Sequence, residues 1–499
     1  MKKIIINKNT WQTRIAILDN ESLLNVYFSA PTQESLERSF FKGEVTKVLP
    51  GIQTAFVNIG KERAGFLHIS EIDREMAIER MSDLVAGDEE EPKKVKRQNI
   101  DIAKILRETD PILVQVSKEP VYEKGAKLTT CFTLPGRFFV LMPNIARIGV
   151  SKKIESNEER WRLKNIFRTH LPEGMGGIIR TTSESRSEKD LIEDVSYLLK
   201  NWFAIEKKYK TAAIAEKIYE DIPLPLQIIR DHLDDNVDTV IVDNKSMQKE
   251  VHQFIKNSAP EYSDRIKLYE NKTPIFDYYD IESQIEAALR KKVRLKSGGS
   301  LIIESTEAMT VVDVNTGKFI GKGSMEETIV KTNLEAAEET VRQLRLRNIG
   351  GLIVIDFIDM MQSQNRQKVF NFFEKVLKEK DKFQSVVLKI SEFGLVQMTR
   401  KRSGKTLVQQ LTDECRTCKG LGFVKSLQME SYAVLQGAHQ ELTARKTAEC
   451  TLEVNPQIFE YLMHTEYNAI LQLEKEVGCK ITLQRNPDMT LATFKITKK

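Results

Sequence analysis

Short strand-like runs recur through the first 180 residues, several of them alternating apolar and polar positions with a period of two. KIIIN, TRIAILDN and SLLNVYFSA within residues 1–30 read as a meander of three short strands that Pro31 ends. From residue 39 the alternation tightens: SFFKGEVTKVLPGIQTAFVNIGKERAGFLHIS breaks at Pro50-Gly51 and Gly60-Lys61, the pattern of a small five-stranded barrel. Residues 82–98 (SDLVAGDEEEPKKVKRQ) are too charged to pack and read as a mobile loop. The barrel then resumes with DPILVQVSKEP and is expected to end near Lys124. From TTCFTLPGRFFVLMPN to GGIIRTTSESRS the chain alternates again around a helical insert at EERWRLKNIFRTHLP. Residues 188–220 read as long amphipathic helices. Residues 222–289 mix the two periods, with DTVIVDN as a buried-type strand and SMQKEVHQFIKN as the helix after it.

The clearest unit lies between residues 301 and 359. Two β-rich runs, LIIESTEAMTVVDVNTG and GGLIVIDFIDM, flank a helix with Ile329, Leu334, Ala337, Val341 and Leu344 at helical spacing. Ser324 with Glu327 three residues on is the expected cap, and Gly350 and Gly351 the expected stop. Parallel strands joined by a right-handed crossover end on the same sheet edge, which would bring Asp313 and Asp356 together. Strand periodicity puts Asn315 on the face of Asp313. Two carboxylates and a carbonyl without His or Cys suit a hard cation such as Mg²⁺. The same residues also read as strand-end acids that cap loops.

KFQSVVLKISEFGLVQMTRKR supplies one more strand, and residues 425–499 read as a small α/β tail. Cys415-x-x-Cys418 followed by glycines has the form of half a zinc knuckle; tetrahedral Zn²⁺ needs four ligands and this pair supplies two. Cys450 and Cys479 could complete the set, or the same pair from a second chain. A redox dithiol is the third reading and lacks a thioredoxin-like context. Arg180-Thr181 offers a guanidinium fork and a hydroxyl for a terminal phosphate, although the dipeptide is ordinary. Gly404-Lys405-Thr406 ends like a P-loop, but Thr399 stands where the first glycine is needed. The six histidines form no metal-type cluster.

With 499 residues the chain is too long for one core and suggests about three domains or more. Five cysteines are too few for a disulfide framework and point to a reducing compartment. No apolar run approaches a membrane span, and MKKIIINKNTWQTR is too short in apolar residues for a signal peptide, so a cytoplasmic protein is expected. The net charge of +5 says little by itself. Its placement says more: Arg290, Lys291, Lys292, Arg294 and Lys296 precede the carboxylate unit, Arg342, Arg345 and Arg347 lie inside it, and Arg400, Lys401, Arg402 and Lys405 follow it. Carboxylates among basic clusters fit a metal site working on a phosphate backbone; solvated helix faces are the other reading.

The segment 39–127 resembles an S1-type domain, an OB-fold variant that binds single-stranded RNA, and Phe56, Phe66 and His68 fall where such barrels present stacking groups. Barrel core is the alternative place for either phenylalanine. Taken together, LPGIQTAFVNIG, GFLHISEI, KGAKLTT, LPGRFFVLMPN, GGIIRT, PIFDYYDIESQIEAAL, LKSGGSLIIESTEAMTVVDVNTG, NLEAAEETVRQLRLRNIGGLIVIDFIDM, FGLVQMTRKR and ECRTCKGLG resemble the bacterial ribonuclease E/G family over essentially the whole chain. With no long Pro- or Arg-rich tail, the chain is more similar to the shorter G-type members.

The resemblance implies a single-strand-specific endoribonuclease of rRNA maturation and mRNA turnover. It would leave a 5′-phosphate and a 3′-hydroxyl and prefer a 5′-monophosphorylated end. The family's Mg²⁺-binding aspartates fall on Asp313 and Asp356, and its catalytic asparagine on Asn315. Its 5′-phosphate pocket falls on Arg180 and Thr181, with Gly136 and Val140 lining the first nucleotide. Its zinc-link cysteines fall on Cys415 and Cys418, two thiolates per protomer on a shared Zn²⁺, which implies a homodimer and leaves tetramers open.

The implied fold is α/β and multidomain. An RNase H-like domain (1–38 and 222–289) is split by an S1 barrel (39–127) and a 5′-sensor domain (128–221). A DNase I-like catalytic domain (290–410), a zinc link (411–424) and a small C-terminal α/β domain (425–499) follow. Two departures stand out: Ile59 occupies a position where some members carry Tyr on the S1 binding face, and TSESRS replaces a Gly-containing sensor loop. A non-catalytic RNA chaperone or ribosome-assembly factor would account for Phe56, Phe66 and the basic clusters but leaves Asp313, Asn315 and Asp356 unexplained. A metal-dependent DNase is a further rival.

Overall fold

A computed structural model describes residues 1–31, 35–72, 101–120, 125–316, 325–391, 393–402, 404–445, 447–491 and 493–498. The chain forms two compact units, Met1–Gln410 and Leu411–Lys499. Both are mixed α/β.

The expected N-terminal meander is β1 (Lys2–Lys8), β2 (Thr13–Asp19) and β3 (Ser22–Ser29). It is one half of a sheet completed from far along the chain. Beyond α4 (Leu224–His232), β14 (Val237–Val242) pairs in parallel with β1, and after α5 (Lys245–Ser258), β15 (Ile266–Leu268) pairs with β14. Ile4, Ile6, Ile15, Val240, Val242, Val251 and Ile255 form its core. Asn244 starts α5 by accepting the amides of Ser246 and Met247, both at 3.0 Å.

The barrel comprises β4 (Phe40–Leu49), β5 (Thr54–Asn58), β6 (Gly65–His68), β7 (Pro111–Lys118) and β8 (Lys127–Thr129). They pair in the order β4-β5-β6-β8-β7, and β7 returns to β4, so the sheet closes. Its last strand lies past Lys124, because Lys127 pairs with Phe66 and Leu128 with Val116. Residues 82–98 lie outside the described residues. Ile59 is 1% exposed in the barrel interior, so it is not on a binding face.

Next, β9 (Leu134–Pro135), β10 (Phe139–Met142), β11 (Ile148–Val150) and β12 (Gly176–Ile179) form a sheet covered by α2 (Asn157–His170) and α3 (Glu188–Thr211). Phe139 stacks on Phe167 at 4.5 Å between centroids. Residues 188–220 thus hold one helix, not several, and a short strand after it. The chain leaves it at Ala212 in an extended conformation and runs as β13 (Lys217–Tyr219) along β4, burying Ile218 in the same core.

The sheet carrying the two carboxylates contains β16 (Lys292–Arg294), β17 (Ser300–Ser305), β18 (Met309–Asn315), β19 (Gly351–Asp356), β20 (Ser385–Val387) and β21 (Leu395–Arg400). The order is β16-β17-β18-β19-β21-β20, and β18–β19 is the parallel pair. LIIESTEAMTVVDVNTG is therefore a hairpin and not one strand; the Thr306 amide and hydroxyl both donate to the Met309 carbonyl at its turn. KFQSVVLKISEFGLVQMTRKR likewise folds back as two strands, β20 and β21.

Helices α8 (Met325–Leu346) and α9 (Ser363–Lys380) cover one face of this sheet through Ala337, Val341, Leu344, Val369 and Phe373. Ser324 lies outside the described residues. Helix α8 stops at Asn348, not at the glycine pair: Asn348 is left-handed (φ 51°), and the Ile349 amide reaches back to the Leu344 carbonyl at 3.0 Å. Gly351 instead opens β19 at φ +99°, where a Cβ would stand 2.6 Å from Arg402 Nε.

The end of β21 is tied to the end of α9 by a buried ion pair. Arg400 Nε and Nη2 donate to Asp381 at 2.7 and 3.0 Å, Nη1 donates to the Ile349 carbonyl at 2.6 Å, and both side chains are 1% exposed. Removing one partner strands a buried charge. Asp381→Ala should destabilise this unit by about 3–5 kcal/mol in urea unfolding. A midpoint within error of wild type would refute it.

The second unit has a sheet in the order β23 (Lys480–Arg485), β22 (Glu449–Val454), β24 (Phe494–Lys498). Three helices pack on it: α11 (Leu427–Arg445), α12 (Pro456–His464) and α13 (Tyr467–Val477). Among the described residues no helix is long and apolar enough to cross a membrane.

Candidate active site

Asp313 and Asp356 are register partners across β18 and β19. Adjacent strands lie about 4.8 Å apart, which sets the two carboxylates side by side. Val312, Val314, Ile353 and Ile355 are buried against the helices, so the pleat turns Asp313, Asn315 and Asp356 to the opposite, open face. Asn315 Nδ2 donates to Asp313 Oδ2 at 2.7 Å. Partial burial raises the Asp356 carboxyl above its ordinary value, and the charges of Asp313 and Asp359 add to the shift.

No Lys, Arg or His forms an ion pair with Asp313 or Asp356 among the described residues, so none of those residues offsets the repulsion between them. Among the same residues no group of three or more His, Cys, Asp and Glu side chains is placed to hold a metal ion. Two adjacent carboxylates lacking a cationic partner, with an amide oxygen beside them, nevertheless fit a hard cation that keeps several of its waters.

The loop leaving β19 is held from below. Asn333, 0% exposed within α8, donates Nδ2 to the Ile358 carbonyl at 2.8 Å and accepts the Ile358 amide at 3.1 Å. Sequence reading missed Asn333, which looks like an ordinary helix position, and Asp359, although it stands in the FIDM run.

Arg180 and Gly136 also meet: Arg180 Nη1 donates to the Gly136 carbonyl at 2.7 Å and to Asp231 Oδ1 at 2.8 Å. Asp194 builds the loop that presents Gly136, accepting the amides of Arg137, Phe138 and Phe139 at 3.1, 2.9 and 3.1 Å. Its burial outweighs those three bonds and raises its carboxyl. A Cβ on Gly136 would stand 2.5 Å from Asp194 Oδ2, so only glycine fits there. Val140 is half-buried on the neighbouring strand β10, and Thr181 is exposed at the start of a short 3₁₀ turn, Thr181–Ser183. Neither Asp194 nor Asp231 carried a signal in sequence, since each acts on residues far from it in the chain.

Phe56 and Phe66 are cross-strand partners, half-buried, while Ala55, Val57 and Leu67 between them are 0% exposed. They lie on the barrel's outer face, not in its core, flanked by Lys47 beside Phe56 and Lys127 beside Phe66. His68 serves a turn, with Nδ1 2.8 Å from Ser70 Oγ. The basic clusters divide: Arg347 and Arg400 are buried, and Arg342 and Arg345 bond Glu339 and Asn25. Lys292, Arg294, Lys296, Lys401, Arg402 and Lys405 are exposed.

Cys415 and Cys418 share an exposed turn ahead of α11. The amides of Cys418 and Thr417 lower the Cys415 thiol below its ordinary value, a setting made for a thiolate. Cys450 and Cys479 are buried in the core of the same unit, and burial together with the neighbouring Cys479 pushes the Cys450 thiol up to about 12. They are poor candidates to complete a metal site.

Residues 133–403 match the model of the Ribonuclease E/G family, and residues 414–499 match that of its thioredoxin-like domain. The second match corrects one expectation: a thioredoxin-like context does surround the cysteine pair. The chain is 37% identical to Ribonuclease G of Salmonella typhimurium over 97% of both chains. It is 39% identical to Ribonuclease G of Haemophilus influenzae, over 97% of this chain and 96% of the relative. With Ribonuclease E of Escherichia coli it shares 34% identity over all of this chain and 46% of the longer relative. The chain belongs to the ribonuclease E/G family.

Proposed function

We propose that this chain is a single-strand-specific endoribonuclease of rRNA processing and mRNA decay that hydrolyses phosphodiester bonds and leaves 5′-phosphate and 3′-hydroxyl ends. The observation that carries this reading is the side-by-side placement of Asp313 and Asp356 on parallel strands, open to solvent and without a cationic partner among the described residues. Asp313 and Asp356 would hold Mg²⁺, which when bound supplies an activated water and offsets charge developing on the phosphate. Asn315 fixes the orientation of Asp313. Phe56 and Phe66 take stacked bases on the barrel's outer face, each contributing roughly 1–3 kcal/mol. The Arg180 fork and the Thr181 hydroxyl take a 5′-monophosphate, and Gly136 and Val140 border its nucleotide.

The chain is best divided as an RNase H-like domain (1–38 and 222–289), S1 barrel, 5′-sensor domain, DNase I-like domain (290–410), zinc link and C-terminal domain. The single sheet shared by β1–β3 with β14 and β15 supports the split of the first. A homodimer would be joined by one Zn²⁺ on Cys415 and Cys418 of each protomer. Its RNA substrates and five cysteines, none of them in a disulfide, suit the cytoplasm.

Matched oligonucleotides test the assignment. Single-stranded RNA with a 5′-monophosphate should be cut in Mg²⁺ and spared in EDTA, faster than its 5′-triphosphate form, with new 5′-phosphate ends. RNA binding without cutting would instead indicate a chaperone, and equal cutting of DNA a general nuclease.

A further inference from the structure

The guanidinium proposed to read the 5′-phosphate is held by a residue outside the sensor domain, and that contact is the basis of this inference, which rests on the pocket reading above. Arg180 spends only Nη1 on the protein, shared between the Gly136 carbonyl and Asp231 Oδ1. Its Nε and Nη2 have no protein acceptor among the described residues, and the two side chains are 23% and 25% exposed. One edge of the fork is therefore clamped and the other presented. We propose that Asp231 is a positioning residue for 5′-end recognition: it clamps Arg180 through Nη1 so that the Nε–Nη2 edge is aimed at a terminal phosphate.

Asp231 is well fixed for this task. It is the penultimate residue of α4. Lys382 Nζ donates to its backbone carbonyl at 2.9 Å, and Arg230 Nε lies 3.4 Å from the Oδ1 that holds Arg180. Burial alone would raise this carboxyl, but Arg180 and Arg230 outweigh it and hold it well below the ordinary range, so Asp231 is an anion throughout the working pH range.

A fixed carboxylate beside a phosphate site would be self-defeating if it cancelled the local charge. It does not. Asp231 and Asp221 together face three guanidiniums, those of Arg180, Arg230 and Arg38, with Arg230 3.2 Å and Arg38 3.3 Å from Asp221. These five side chains carry three positive and two negative charges, a net positive charge for an incoming dianion. Holding one edge of a flexible side chain also lowers the ordering cost of binding at the other.

The consequence is that 5′-end discrimination depends on a residue of the fold formed with β1–β3 as well as on the sensor sheet. The test compares kcat/KM on one RNA bearing a 5′-monophosphate or a 5′-hydroxyl, for wild type, Arg180→Ala, Asp231→Ala and Asp231→Asn. Asp231→Ala should lose about tenfold of the monophosphate preference, the worth of a charged hydrogen bond. The loss should appear in KM for the monophosphate substrate and not in kcat. Asp231→Asn, which keeps a neutral acceptor and the side-chain shape, should lose less, a gradation that general unfolding would not give. If the preference collapses in Arg180→Ala but survives in both Asp231 variants, the inference is overturned and the pocket stands. If it survives Arg180→Ala, the pocket and the role of Asp231 fall together. A preference that rises in Asp231→Ala would also overturn the inference, marking Asp231 as a competitor for the fork.

Discussion

Asp356→Asn is expected to abolish Mg²⁺-dependent RNA cleavage while leaving the metal-free protein at least as stable as wild type. The loss should be roughly a thousandfold or more, since metal-based stabilisation of the phosphate is worth several kcal/mol and the amide removes one of two anionic ligands. The stability half of the prediction follows from the direction of the Asp356 shift. Partial burial and the nearby Asp313 and Asp359 raise this carboxyl in the folded chain. The folded state therefore binds the proton more readily than the unfolded state. Stability conferred by that proton is present below the unfolded pKa and is lost as pH rises through the folded one. At neutral pH the ionised Asp356 is thus a liability of the metal-free protein, which Asn removes. Melting in EDTA at neutral pH should place the variant at or above wild type, with the gap closing on acidification into the carboxylate range. Added Mg²⁺ should raise the wild-type melting temperature more than that of the variant. Cleavage within tenfold of wild type, or a variant that melts several degrees lower in EDTA, would sink the assignment of Asp356 as a ligand.

The site could be found in the sequence because its polar residues alternate with apolar ones along a strand. Val312 and Val314 alternate with Asp313 and Asn315 in a strand pattern, so the period of two assigns the polar residues to one face without any structure. The crossover helix then fixes which strand ends meet. Its termini were harder to read: Gly350 and Gly351 look like the stop, yet Asn348 provides the left-handed residue, because glycine is only the commonest solution at that position. The hairpin inside LIIESTEAMTVVDVNTG was hidden for a similar reason. Its turn uses Thr306 in place of the Asn-Gly or Asp-Gly that would have announced it.

The supporting residues were illegible for a different reason. Asn333 meets Ile358, Asp194 meets Arg137, and Asp231 meets Arg180 across long sequence separations, and each sits in a pattern that any polar surface residue would satisfy. Charge counting misled in the same way. Arg400 and Arg347 looked like part of a polyanion surface and are instead buried, Arg400 on Asp381 and Arg347 on Gln343. Where a side chain points in a strand is a local property, whereas which distant partner it meets belongs to the fold.

The proposed zinc link predicts that Cys415→Ser converts a dimer into a zinc-free monomer. A tetrahedral Zn²⁺ site needs four ligands, and the exposed turn offers Cys415 and Cys418 alone. The amides of Cys418 and Thr417 favour the Cys415 thiolate, as a ligand requires. The other two cysteines of this unit cannot easily join them. Cys450 is 0% and Cys479 3% exposed, and Cys450, with its thiol pushed up to about 12, stays protonated at neutral pH. Moving them to the surface turn would open the hydrophobic core that Leu452, Val454, Ile458 and Leu462 share with them. In the proposed shared site the remaining ligands come from a second chain, so the wild type should hold about half a zinc ion per chain. Sedimentation should show dimers that dissociate in Cys415→Ser and in strong chelator, and that persist in Cys450→Ser. One zinc per chain in a monomer would refute the shared site, and zinc lost in Cys450→Ser would place the missing ligands within the same chain.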